Sequence, residues 1–137
     1  MNTEIAGLVF DFGMLVLIWI VQLVIYPGLT FYQRPDLMRW HKQYVNRIAY
    51  IVMPLMIGQL SLAIVKVITH FDIIHLFLLI LIIVVWMQTF FQFVPMHNRI
   101  SFGEVDEYSI ARIIQKNWWR TTLLTIVFFV HLSKIVF

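Results

Sequence analysis

The residues of this chain best suited to chemistry crowd into one stretch, Gln92 to Thr122. His97 is the side-chain type that takes and returns a proton near neutral pH. Arg120 is the type that holds an anion or a developing oxyanion. These two are the expected catalytic pair. His41, Arg47, Gln88, Gln92, Asn98, Asn117, Trp119 and Thr121 are the expected substrate-binding residues, with His41 a second candidate for acid/base work. Helical spacing sharpens the grouping: Gln88, Gln92 and Pro95 fall at i, i+4 and i+7 on one face. Asn117, Arg120, Thr121, Thr125 and His131 fall on one side of the last apolar run. A plainer reading makes the same residues interfacial side chains and hydrogen bonds that hold helices together.

A second set lies toward the opposite ends of the apolar runs. Asp11 stands about 9 Å inside the first run by helix rise, and an aspartate at that depth needs a partner. His131 or Lys134 can supply it, so an Asp11–His131 ion pair is expected, with a proton site as the alternative. His75 and His131 fall at similar depth on two different runs, the placement that axial ligands of a b-type haem would need. The sequence does not demand haem, and no metal site is expected. It has no glycine-rich phosphate loop, HExxH, GxSxG or EF-hand pattern. Glu104, Asp106 and Glu107 read as the solvated start of a helix, where acids suit the dipole.

The elements that must position these groups are membrane spans. Of 137 residues 61% are hydrophobic and 12% charged, about half the charged share of a soluble domain, and mean hydropathy is +0.87. The apolar residues come in unbroken runs, as spans do. The chain contains no cysteine, which excludes disulfides and thiolate chemistry. Its net charge of +3 comes from basic residues beside the spans, which argues against a nucleic-acid partner. The fold expected is therefore all-α: four transmembrane helices in an up-and-down bundle, a single domain with spans at about 5–29, 44–68, 73–94 and 116–137. Amphipathic interfacial helices are expected in both long connections, from Phe31 to Arg47 and from about Val105 to Gln115. Arg34, Arg39, Lys42 and Arg47 flank the first connection, and Arg99, Arg112, Lys116 and Arg120 the third. The positive-inside rule places both in the cytoplasm and both termini outside, in a bacterial inner membrane. Each half also reads as span, proline, basic helix, then Asn and Arg, a hint of an internal repeat.

Several of these residues form a familiar series: Tyr26-Pro27, Trp40-His41, Arg47-Ile48, Pro54-Leu55-Met56, Gln92-x-x-Pro95-x-His97 and Asn117-Trp118-x-Arg120-Thr121. The series resembles an uncharacterised bacterial family of small four-helix integral membrane proteins. That family is distantly similar to the anthrone-oxygenase-like family, through Pro95, Asn98, Asn117, Arg120 and Thr121. The resemblance implies a cofactor-independent oxygenase, or a binding relative, acting on a flat hydrophobic aromatic. Gln59 stands where the pattern often has an acid, and Tyr44 near where it has a second histidine. The function expected is a polar pocket at the cytoplasmic side that binds or oxidises a hydrophobic aromatic molecule. The alternatives are a non-catalytic subunit or stabiliser of a larger membrane complex and, third, a dimeric channel or transporter. Expected partners are the lipid bilayer, a hydrophobic small molecule, and a second copy or a larger complex.

Overall fold

Caps and prolines set where the helices begin. Asn2 accepts a hydrogen bond from the Glu4 N–H (3.1 Å) and Asp72 one from the Ile74 N–H (2.7 Å), each satisfying a donor that a helix start leaves free. Pro35 occupies the first turn of another helix, where its missing N–H costs nothing. The computed structural model describes residues 2–106 and 108–137. Its helices are α1 (Thr3–Phe31), α2 (Arg34–Thr69), α3 (Ile73–Ser101) and α4 (Ser109–Val136), and no strand occurs among the described residues. All four are long and apolar enough to cross a membrane.

Helices α1 and α3 each pack against both α2 and α4. The buried apolar side chains fall into three clusters. One gathers Tyr26, Leu37, Tyr44, Phe93, Ile100 and Ile113. The second holds Met14, Ile18, Met56, Val85 and Leu124, and the third Ala63, Leu78, Ile82 and Val127. The outside is apolar too, with Phe12, Ile68, Phe77, Phe91 and Phe129 exposed.

Neither expected interfacial helix forms a separate element. The amphipathic stretch after Pro35 runs straight into the second span as one 36-residue helix, because nothing between Met38 and Tyr50 breaks it. The third span continues past Val94 to Ser101, and the basic segment from Ser109 is the first part of α4. Glu107, read as part of an acidic helix start, lies outside the described residues. Asp106 does stand at the entry to α4. Its carboxylate accepts from the Tyr108 N–H (2.9 Å), the Ser109 hydroxyl (3.0 Å) and Arg112 Nη2 (2.8 Å).

Two π-helical turns interrupt α1 and α3, at Val21–Ile25 and Thr89–Phe93. A proline, Pro27 or Pro95, follows each by two residues. A proline ring clashes with the carbonyl four residues back, here Leu23 and Phe91, in the middle of each π-turn. The wider turn relieves that clash and inserts one residue into the register, a rotation of about 100°. This is the clearest match between the two halves. The other half-repeat landmark splits, since Asn117 and Arg120 are buried whereas Asn46 and Arg47 are exposed.

At Gly58 the Phe10 ring of α1 packs onto α2: a Cβ there would fall within the ring's van der Waals envelope. Gly58→Val is expected to cost about 1–3 kcal/mol of overpacking, seen as a lower Tm in detergent. Gly28, with open space around it, tolerates alanine; equal losses at both positions would refute this account. The acid sensitivity of the α4 entry has a clear sign. The Tyr108 N–H, then Ser109 and Arg112, hold the Asp106 carboxyl below its ordinary value. That stabilisation is complete above the unfolded value near pH 4 and is lost as pH falls through the depressed folded value. Amide protection factors at Tyr108–Arg112, exchange rates corrected for their intrinsic pH dependence, should therefore fall only in acid, and Asp106→Asn should show the lower protection already at neutral pH.

Candidate functional site

The two π-turns aim the side chains that follow them at each other. Tyr26, in the turn after the first, is buried, and its hydroxyl lies 3.0 Å from His97 Nε2, one turn beyond the second. His97 Nδ1 lies 2.8 Å from His41 Nε2, and His41 Nδ1 lies 2.8 Å from the Ser101 hydroxyl. The two imidazoles stack with centroids 5.0 Å apart. A neutral imidazole has one donor and one acceptor nitrogen, so this line can be polarised in either direction with every member neutral. Reversing it moves one proton's worth of charge between Tyr26 and Ser101. His41 is wholly buried at its centre, away from the exposed face of α2.

Arg120 reaches the same place from α4. It is buried, its guanidinium lies 4.3 Å from the Phe93 ring centroid, and Nη1 donates a long bond to Asn117 Oδ1 (3.4 Å). Its Nε finds no acceptor, and the ion pairs among the described residues all lie elsewhere. A buried guanidinium beside a π-face, an amide and the hydroxyls of Tyr26 and Tyr44, with no carboxylate paired to it among the described residues, has capacity for an anion. Asn117 and Thr121 perform a different task. Asn117 Nδ2 donates to Gln22 Oε1 (2.8 Å), Thr121 donates to the Asn117 carbonyl (3.0 Å), and Gln22 Nε2 donates to the Ile114 carbonyl (3.2 Å). These bonds tie the π-turn of α1 to α4.

A cavity of about 160 Å³ opens beside this group. Its walls are mostly apolar (Met14, Ile18, Val21, Ile48, Val52 and Phe93 among them), and Tyr26, Tyr44, His97 and Arg120 supply its polar groups. Ala49 and Val94, both exposed, form its rim between α2 and α3. His97 and Arg120 therefore line the cavity, and His41 stands one hydrogen bond behind it. Arg47, Asn98 and Trp119 are exposed and take no part; Trp119 is two residues from Asn117, about 200° around the helix. Gln88 and Gln92 are only partly buried and lie off the cavity lining. The π-turn breaks the α-helical spacing that put them on one face with Pro95, and Val85, Phe93, His97 and Ile100 face inward instead. Tyr44, Gln22 and Ser101 were missing from the expected site, and Tyr26, expected among the polar residues at this end, had no role assigned in it. Tyrosines at span ends read as interfacial anchors, but Gln22 alone in an apolar run was a usable signal.

At the other end of the bundle, where both chain termini and the α2–α3 turn meet, Asp11 and His131 bond through Oδ2 and Nδ1 (2.5 Å). Gln59 Nε2 donates to the other Asp11 oxygen (2.8 Å). Lys134 pairs with Asp72 (2.9 Å) and not with Asp11. His131 Nε2 lies 2.9 Å from Glu4 Oε2, while His75 binds Glu4 Oε1 (2.8 Å) and the His70 carbonyl (2.9 Å). Both nitrogens of both imidazoles are thus occupied, and the Glu4 carboxylate stands between the rings. That geometry does not suit a shared haem iron. No metal-binding group of three acids or histidines occurs among the described residues.

A scan of family models, a search of curated proteins and a search of solved structures each match nothing to this chain. What the site does must follow from its own geometry.

Gln22→Leu keeps the side chain's approximate bulk but strands Asn117 Nδ2 without its acceptor. The expected loss is about 1–2 kcal/mol, between the cost of an unmet buried donor and the smaller values found inside membranes. Adding Asn117→Leu should restore part of it, because both polar partners are then gone. Thermal unfolding of the three variants in detergent reads the coupling directly, and strict additivity would contradict it.

Proposed function

We propose that this chain is a multi-pass protein of a bacterial cytoplasmic membrane that binds a flat hydrophobic aromatic carrying an ionisable hydrogen. Its four helices cross in an up-and-down bundle with the two basic connections in the cytoplasm. The observation that carries the reading is the line Tyr26–His97–His41–Ser101, which begins at the wall of an apolar cavity and ends beside the α3–α4 connection. A cavity of this size takes one ring, since an engineered one of about 150 Å³ admits benzene. The rest of a larger ring system would lie across the rim at Ala49 and Val94, reached from the bilayer.

In this reading the molecule places its oxygen near Tyr26 and Arg120. Its proton passes to the Tyr26–His97 end of the line, and the line gives up a proton at Ser101. Arg120 stabilises the anion left behind, in a medium where such attraction is strong. Loss of a proton is also the first step of the oxidation that the family resemblance implies. There a ring methylene and one dioxygen become a ring carbonyl and one water, with dioxygen as the oxidant. His97 is then the acid/base group, Arg120 the oxyanion holder and Tyr44 the second hydroxyl of the pocket.

Paired probes test the binding half. In nanodiscs the chain should bind 2-naphthol about tenfold or more tighter than naphthalene, the value of one good charge-assisted hydrogen bond. Tyr26→Phe and His97→Phe should narrow that ratio while leaving naphthalene's affinity unchanged. Equal affinities in the unaltered chain would remove the reading. A stoichiometric partner protein covering the rim at Ala49 and Val94 would favour a subunit of a larger complex.

A further inference from the structure

The buried ionic cluster at the termini is built from all four helices: Glu4 and Asp11 from α1, Lys66 and Gln59 from α2, His75 from α3 and His131 from α4. Beside it stand the Asp72–Lys134 pair and His70, which meets His75 only through its carbonyl. We infer that this cluster is a proton-binding site, separate from the cavity, which loads one proton from the side of the membrane where the termini lie.

The charges in the cluster do not balance without that proton. Asp11 and Glu4 bring two negative charges and Lys66 one positive, so with both histidines neutral the cluster carries one uncompensated negative charge. A net charge among apolar helices is costly. One bound proton removes it.

Two ring nitrogens that face Glu4 offer a place for it. His75 Nδ1 donates to the His70 carbonyl, so His75 Nε2, 2.8 Å from Glu4 Oε1, has a hydrogen for that contact only when the proton is bound. His131 is the second. His131 Nδ1, 2.5 Å from Asp11 Oδ2, keeps its hydrogen on that bond. His131 Nε2 faces two groups at once, Glu4 Oε2 at 2.9 Å and Lys66 Nζ at 3.0 Å. Unprotonated, Nε2 accepts from the lysine ammonium. Protonated, it donates to Glu4 and the lysine must turn toward Glu4, already 3.8 Å away. The two states need almost the same heavy-atom positions and differ by one proton. Gly7 keeps this space open, since a Cβ there would lie 2.9 Å from Lys66 Nζ and 3.0 Å from His131 Cε1.

Glu4 gives the proton its way in. Its side chain is 25% exposed, whereas those of Lys66, His75, Asp11 and His131 are 6% exposed or less. Protons therefore enter at Glu4. The route ends at Gln59, whose amide carries no exchangeable charge, and beyond it lies the apolar layer of Met14, Ile18, Met56, Val85 and Leu124. A proton that enters returns by the same path.

The test is a pH titration of the full chain in nanodiscs, labelled with 15N at histidine and read by NMR. One of the two nitrogens that face Glu4, His75 Nε2 or His131 Nε2, should pass from unprotonated to protonated in a single one-proton step. Glu4→Gln cancels the surplus negative charge and should move the midpoint down by about one pH unit or more; Lys66→Met doubles that surplus and should move it up. Lys134→Gln, outside the cluster, should leave it nearly in place. Both of these nitrogens fixed in one state from pH 4 to 10 in the unaltered chain would overturn the proposal, and that measurement needs no variant to fold. So would a midpoint that neither Glu4→Gln nor Lys66→Met displaces, because a static ion cluster predicts that result.

Discussion

Two missing N–H groups, at Pro27 and Pro95, constrain the rest of this structure. Each proline forces a π-turn, and each π-turn shifts the helical register by one residue. That shift turns Gln22 and Tyr26 inward on α1, and Phe93 and His97 inward on α3. Without it the tyrosine–histidine contact would not form and Arg120 would have no aromatic face to lie on. The distortion sits next to the groups that do chemistry, as π-turns commonly do. It also leaves the helices outside those two turns regular, so the remaining packing is ordinary.

Lipid gives apolar helices no hydrophobic reason to associate, so specificity must come from close packing and polar contacts. The chain places its polar contacts at two levels and keeps the middle apolar. At one level Gln22, Asn117 and Thr121 tie α1 to α4, while His41 and His97 tie α2 to α3. At the other a single carboxylate, Glu4, bonds to imidazoles from α3 and α4. The intervening layer, centred on Met56, contains no charged side chain in its cluster. Two polar levels in one small bundle are thus separated by an apolar layer.

Regular helices were legible in the sequence and distorted ones were not. The buried face of α4, from Asn117 through Arg120 and Thr121 to His131, follows from 3.6-residue spacing because nothing interrupts that helix between them. The same arithmetic failed for Gln88, Gln92 and Pro95, since a π-turn lies inside the interval counted. Asp11 announced its need of a partner by depth alone. The choice between His131 and Lys134 depended on Asp72, which a turn brings within reach of the lysine. Glu4 and Lys66 sit near helix ends, where charge usually meets water, so their inward direction left no trace in the sequence. Tyr26 and Tyr44 were hidden likewise, because tyrosine at a span end is the normal residue of an interface.

Helix α2 has 36 residues and so runs about 54 Å, against a hydrocarbon thickness of about 30 Å. The surplus belongs to its charged first turns, which carry Arg34, Arg39, Lys42 and, on the inner side, His41. In a bilayer the far end of the histidine line therefore sits at the level of the headgroups and not in bulk water. Proton activity there follows the surface potential, about −30 mV for an anionic leaflet, and the exposed arginines beside it oppose that potential. On the membrane-spanning reading proposed above, the lipid composition around this protein would become a reagent: changing the proportion of anionic headgroups would alter the acidity that its buried histidines meet while the pH of the solution stays constant.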